Sequence, residues 1–299
     1  MQVLAGIRRA RPAKIYIAAD GPRATRPAER AVTQDVRDAV LAGIDWPCEV
    51  QTLFQDNNLG CRNGVKAAID WFLSEEERGI ILEDDVIPHP AFFTFCAEAL
   101  DRYQDKPEIF MISGTNPIGV ERSSHYFYSS FGGIWGWATW RRAWARYDVE
   151  MTSWPSAAMR RDIRTRLGRL AAVYFTGVFN GHKKFNVDTW DTQWTYTMLK
   201  NKGLAIVPET NLIRNIGIVG THSSVEMRNH NLPYGELSFP VTARDTGIKD
   251  NQAFNARLAR ESFMPALVIS TVSRWAKRWR VHHIIQKIYL ATRKKNERK

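Results

Sequence analysis

The feature that most limits the architecture is an alternation running through the first 115 residues. Short apolar runs, each ending in a polar or acidic cluster, are separated by single amphipathic segments. KIYIAA (14–19) predicts a strand that runs into Asp20-Gly21-Pro22. Pro27 suits the first turn of a helix that continues to Leu41 and stops near Gly43. CEVQTLF (48–54) predicts a second strand, followed by the turn Asn57-Asn58-Leu59-Gly60. A helix over 61–75 then carries Val65, Ile69 and Phe72 on one face. GIIL (79–82) predicts a third strand entering Glu83-Asp84-Asp85, with a helix from Pro90 to Tyr103 and a strand over 108–114 beyond it. Strands joined by single helices need crossover connections, which predicts a parallel sheet covered on both faces.

From about residue 116 the pattern loosens, and aromatics crowd 126–154. Helices are predicted over 139–147, 156–170 and 189–201, and a strand over LAIVP (204–208). This half reads as an elaboration packed on the same sheet. The divisions are therefore 1–115, 116–262 and a C-terminal segment over 263–299.

That last segment explains the formal charge of +11. From Pro265 onward there are ten Lys/Arg and one acid, leaving a body of 32 basic and 30 acidic side chains. Residues 266–292 predict one helix with Val268, Val272, Trp275 and Trp279 on a stripe and basic residues over much of the rest. Such a helix either lies on an anionic membrane surface or packs its stripe on the body with the basic face solvated. Nucleic acid is not expected as a partner, because no recognition motif accompanies the charge. No run of about 18 apolar residues offers a membrane span. The N-terminal order of basic and apolar residues is wrong for a secretory signal, and three scattered cysteines make no disulfide framework. The expectation is a cytoplasmic protein, peripheral on the inner membrane face if the tail binds lipid.

Glu83, Asp84 and Asp85 carry the most chemical information. They follow a fully apolar strand, and ligands in open parallel sheets bind beyond the carboxyl ends of strands. Clustered carboxylates resist ionising together unless they share a cation, and hard oxygen ligands suit Mn²⁺ or Mg²⁺. The competing reading is an acidic loop that starts a helix. Asp20, Gly21 and Arg23 end the first strand on the same edge, where Asp20 can accept from a ribose or base and Gly21 permits close backbone approach. Asp56 and Arg62 bracket the end of the second strand. Both groups also read as ordinary turns. Asp191 in Trp190-Asp191-Thr192-Gln193-Trp194 is a general base or a carboxylate favoured by a helix N-terminus. His222, in a late loop, is a metal ligand or a surface residue.

The segment GIILEDDVIPHPAFFTF resembles the metal-binding segment of GT-A glycosyltransferases, with Glu83-Asp84-Asp85 as its DxD-type motif. It is similar to that of the N-acetylglucosaminyltransferase I family and of bacterial glycosyltransferase-like proteins labelled hemolysin-related. The order IYIAADGPR, DNNLGCRNGVKAAIDWF, the acidic segment, MISGTN, GGIWGWATWRRAW, WDTQW and GTHS agrees across about residues 1–222. The resemblance implies an α/β GT-A fold, Rossmann-like, with a mostly parallel central sheet and helices on both faces. Residues 2–10 read as the end of the helix that follows the usual first strand, so either the true start lies upstream or this copy lacks part of its donor pocket. The first half would bind a nucleotide-diphosphate sugar, a UDP-sugar by preference, through Asp20, Asp56 and Asp84. Asp85 would ligate the metal bound to the diphosphate, and His222 would touch the metal or the diphosphate. Gly133, Trp135, Gly136 and Trp137 would line the donor-sugar and acceptor pocket. Asp191 would be the base of an inverting transfer to a glycan or lipid-linked acceptor. The missing strand keeps open a second expectation, a degenerate member that binds nucleotide, glycan or membrane without turnover. Phosphoryl chemistry is disfavoured for want of a phosphate-binding Gly-rich loop.

Overall fold

The computed structural model describes residues 1–118, 125–217, 234–243 and 247–265. His222 and the helix predicted over 266–292 lie outside the described residues.

Locally patterned segments form close to their predicted bounds. Helix α1 (Gln2–Ala10) precedes strand β1 (Lys14–Ala19), helix α2 (Glu29–Ala42), strand β2 (Glu49–Phe54) and helix α3 (Gly60–Glu75). β1 and β2 pair in parallel from Lys14 opposite Glu49 to Ala19 opposite Phe54, as a two-stranded sheet. Strand β3 (Arg78–Ile81), the short strand β4 (Val86–Pro88) and helix α4 (Pro90–Arg102) follow. α4 starts where expected because His89 Nδ1 accepts from Ala91 N at 3.2 Å and Pro90 occupies the first helical position, where a missing N–H costs nothing.

The central sheet corrects the expectation of a mostly parallel one. It also contains β5 (Ile109–Ser113), β6 (Tyr126–Ser129), β7 (Trp137–Trp140) and β8 (Leu204–Pro208), in the order β3-β7-β5-β8-β6. β3, β5 and β8 run in one direction, as their crossovers require. β7, however, is inserted antiparallel between β3 and β5, and β6 runs antiparallel along β8. The molecule is α/β with a mixed sheet. Of residues 137–140, the last two fall in the helix predicted over 139–147; all four extend instead, because both edges of β7 find a partner. The helix that follows is only α5 (Arg141–Trp144).

Both faces of this sheet are covered. Along β8, Leu204 and Ile206 enter one apolar cluster while Ala205 and Val207 enter the other, the alternation a strand imposes. The first cluster packs against α4 through Phe92, Phe95, Cys96 and Ala99. The second packs against α3, α6 (Ala157–Phe185), α7 (Asp191–Lys200) and α8 (Gln252–Leu258). α6 is two helical stretches broken at Gly168, whose φ of 83° and ψ of 171° are not helical, so the first stretch ends close to the predicted end at 170 and the second continues to Phe185. A π-helical turn (Ala259–Phe263) continues α8, and Phe263 stacks on Tyr174 of α6 with ring centroids 4.5 Å apart. β4 pairs with β9 (Ile213–Asn215) at the margin.

The centre of the second cluster is aromatic. Trp137, fully buried, stacks on Trp190 at 5.6 Å and meets Trp194 at 5.5 Å, while Trp144 lies 4.2 Å from Tyr147. Such pairs contribute roughly 0.5–1.5 kcal/mol each beyond the area they bury. This stack ties the start of α7 to the sheet and thereby fixes where Asp191 stands.

Candidate functional site

The carboxyl end of β3, the start of α7 and the start of α3 converge. Glu83 sits two residues beyond β3 and is largely withdrawn from solvent, and its Oε1 has no hydrogen-bond partner. Burial pushes its carboxyl up to about 7, with further contributions from Asp85, Asp191 and Asp84. These neighbours are carboxylates, so the field at Glu83 is negative. An orphaned, half-protonated carboxyl among three other acids is costly unless a cation enters. Carboxylates of this kind have the hard-oxygen chemistry that divalent cations take. Among the described residues, which do not include His222, no group of three or more His, Cys, Asp or Glu side chains is placed so that it could hold a metal ion.

Asp84 is exposed. Asp85 is half-buried, and its backbone carbonyl accepts from Ile216 N at 2.8 Å. A Cβ at Gly217 would lie 2.2 Å from Asp85 Oδ2, so the chain passes tightly against this carboxylate five residues before His222.

Asp191 is the first residue of α7, with the half-buried Oδ1 accepting a short hydrogen bond from Thr189 Oγ1. Its charge reaches several neighbours. Burial, then Asp188, Glu83 and Asp191, push the Cys61 thiol up to about 11. Burial and then Asp191 raise Tyr147 far above its ordinary value, and Tyr147 OH donates to Trp190 O at 3.0 Å. His182 is depressed, by burial first and then by Arg62. Its Nε2 lies 2.8 Å from Gln193 Nε2, and Gln193 Oε1 is buried without a partner. Glu83, Asp84, Asp85 and Asp191 thus form one electrostatic cluster, with Cys61 beside it.

The remaining expected binding residues lie away from this cluster, most of them engaged with other parts of the protein. Asp20 accepts from Leu59 N at 2.7 Å, Gly60 N at 3.1 Å, Asn58 Nδ2 at 2.8 Å and Gly21 N at 2.9 Å. It caps α3, where a nucleoside contact had been expected. Gly21 is needed because a Cβ would meet the backbone of Asn57 at 2.5 Å, a contact with protein and not with ligand. The Arg23 guanidinium is clamped on Glu29, with Nε 2.9 Å from both carboxylate oxygens. Asp56 is exposed and makes no side-chain hydrogen bond among the described residues. Arg62 donates to Asn186 Oδ1 at 2.9 Å and to Val187 O.

The glycine–tryptophan segment is also reassigned in part. A Cβ at Gly133 would stand 2.0 Å from Thr115 Oγ1, and Gly136 has a φ of 60° against Ile213, so both serve the close crossing of this loop over the end of β5. Trp137 is fully buried in the core, enclosed by Trp190 and Trp194 of the segment that starts α7. Trp135 is half-buried against the α4-side cluster.

Asp188 escaped the sequence reading. It accepts from Cys61 N at 3.0 Å and Arg62 N at 2.9 Å, bringing the loop after α6 to the head of α3. The repeated Asp-Thr of Asp188-Thr189-Trp190-Asp191-Thr192 is the signal that could have found it. No protein-family model and no curated protein matches this chain.

Proposed function

We propose that this chain is a metal-dependent glycosyltransferase of the GT-A type, moving a sugar from a nucleoside-diphosphate donor, a UDP-sugar by preference, to a glycan or lipid-linked acceptor with inversion. The observation that carries the reading is the Glu83 carboxyl, with a buried, unpartnered oxygen, gathered with Asp84, Asp85 and Asp191 beyond the end of β3, an edge strand of the main sheet. Resemblance of the surrounding motifs to GT-A enzymes supports it further.

In this reading Glu83, Asp84 and Asp85, with His222, hold Mn²⁺ or Mg²⁺. The cation, when bound, neutralises charge that develops on the departing diphosphate. Asp191 accepts the proton of the acceptor hydroxyl as the hydroxyl oxygen attacks the anomeric carbon. Thr189 orients that carboxylate by donating to Oδ1, leaving Oδ2 for the acceptor. The wall of Trp190, Trp137 and Trp194 behind Asp191 keeps water from its rear. The diphosphate departs as an anion, so no acid residue is required. Tail residues 266–299 and an anionic membrane surface would bring a lipid-linked acceptor within reach.

The second reading, a protein that binds nucleotide or glycan without turnover, draws on a specific observation. Asp20, Arg23 and Arg62 are engaged within the protein, which leaves a donor fewer groups to bind.

Calorimetric titration of UDP, GDP and ADP, each with and without Mn²⁺, tests the first reading. Binding should require the metal and disappear in Asp85→Ala. A transfer or donor-hydrolysis assay on Asp191→Asn should then give binding retained and turnover lowered about a hundredfold or more. Metal-independent binding overturns the metal assignment. Binding by the wild type without any turnover favours the second reading.

A further inference from the structure

The basic charge of the folded body is concentrated on one helix. α6 carries seven Lys/Arg (Arg160, Arg161, Arg164, Arg166, Arg169, Lys183, Lys184) and one acid, Asp162. The rest of the body before Pro265 then holds 25 basic against 29 acidic side chains, so it is net acidic. Such segregation is not what a randomly solvated surface gives.

The helix presents this charge outward. Its buried spine runs through Met159, Ile163, Leu167, Ala171, Phe175 and Phe179. Arg160, Arg161 and Arg164 before the break at Gly168, and Arg169, Lys183 and Lys184 after it, are exposed. None of these six makes a side-chain hydrogen bond or ion pair among the described residues. The single acid is already engaged, with Arg166 at 3.5 Å and Lys202 at 3.9 Å. Apolar residues stand among the cations: Val173 is 54% exposed and Phe185 69%, with Lys184 Nζ 5.2 Å from the Phe185 ring centroid.

The basic tail begins beside this helix. Phe263 packs on Tyr174 and Phe175 of α6, and the ten Lys/Arg residues follow from Pro265.

We propose that the exposed side of α6 is a docking surface for an anionic lipid bilayer. Unpaired arginines meet acidic headgroups, while Val173 and Phe185 enter the interfacial region. The interleaving of apolar and cationic side chains favours a bilayer over a nucleic acid, which offers phosphates but no apolar layer. The inference stands apart from the transferase reading, since it requires no catalysis and uses none of the acidic cluster.

The test is flotation of the full-length chain with vesicles of equimolar phosphatidylglycerol and phosphatidylcholine, against vesicles of phosphatidylcholine alone. Binding is expected only to the anionic vesicles and should weaken as salt is added, because exposed charges are screened beyond about 10 Å at 0.1 M. Each arginine near such a surface contributes about 1 kcal/mol, or roughly fivefold in the partition constant. Arg160→Glu/Arg161→Glu/Arg164→Glu, with the tail intact, should therefore lower partitioning by about a hundredfold or more. Arg160→Lys/Arg161→Lys/Arg164→Lys should remain close to wild type. Unchanged thermal melting of both variants would confirm that the loss is not one of folding. If the triple Glu variant melts early, each single reversal should give its own fivefold drop. Equal flotation of wild type and triple Glu variant overturns the proposal, as does a wild type that retains single-stranded RNA but ignores anionic vesicles.

Discussion

Replacing Glu83 with glutamine removes one ionisable carboxyl from the end of β3 and preserves its shape. The carboxyl is displaced from its ordinary 4.5 to about 7, by burial first and then by Asp85, Asp191 and Asp84. At about 1.4 kcal/mol per decade of proton affinity, this corresponds to on the order of 3 kcal/mol. Below about pH 4.5 the group is protonated in both folded and unfolded chains and contributes no pH dependence. Between 4.5 and about 7 the unfolded chain has lost the proton and the folded chain has kept it, so the folded state binds more protons and stability falls as pH rises. Above about 7 the folded protein carries the full cost of the ionised group. Denaturant unfolding with EDTA present, across this range, should give a wild-type profile that falls by about 3 kcal/mol relative to Glu83→Gln. Mn²⁺ in a hundredfold excess over its Kd should then restore about 2.7 kcal/mol to the wild type above about pH 7, and distinctly less to the variant. Parallel profiles for the two proteins would mean that Glu83 is solvated and alone, and the electrostatic reasoning would fail.

Asp188→Ala removes the carboxylate that receives Cys61 N and Arg62 N, and should lower stability by about 1–2 kcal/mol in thermal or denaturant unfolding, as loss of a helix cap does. Gly21→Ala drives a methyl into the backbone of Asn57 and should cost about 1–3 kcal/mol, with the melting temperature as the readout. Trp137→Ala opens a cavity between β7 and α7 and should cost about 3–5 kcal/mol; a cost below about 1 kcal/mol would return Trp137 to a pocket wall.

Elements with their own local signal were readable from the residues. Strands β1, β2 and β8 have apolar runs bounded by turn residues, and α3 and α4 have helical spacing with a Pro or Gly at the boundary. The sense of β3, β5 and β8 also followed, because crossovers fix it. The insertion of β7 did not, since WATW gains its extended form from pairing with Arg78–Ile81 on one side and Met111–Ser113 on the other. Likewise β6, YFYS, is a strand because it lies along β8. For the site, the run Glu83-Asp84-Asp85 was legible because its residues are contiguous, whereas the nearness of Asp191 to it comes from the fold. Roles that depend on which of two partners an ionic group chooses were not. Asp20 and Arg23 have a residue type equally suited to ligand and to protein, and only the fold reveals Leu59 N, Gly60 N and Glu29 beside them.

The head of α3 has a consequence for where phosphate can go. Four successive amides, those of Leu59, Gly60, Cys61 and Arg62, are the donors that a helix leaves unpaired at its start, and an incoming anion commonly occupies such a position. Here Asp20 holds the first two and Asp188 the second two, so the protein's own carboxylates already fill the nook and reverse its polarity. A pyrophosphate approaching this edge meets negative charge at the helix as well as at the strand. If a nucleoside diphosphate binds here as proposed, its affinity should depend steeply on a divalent cation, and chelation should abolish binding outright where a helix-cradled phosphate would merely be loosened.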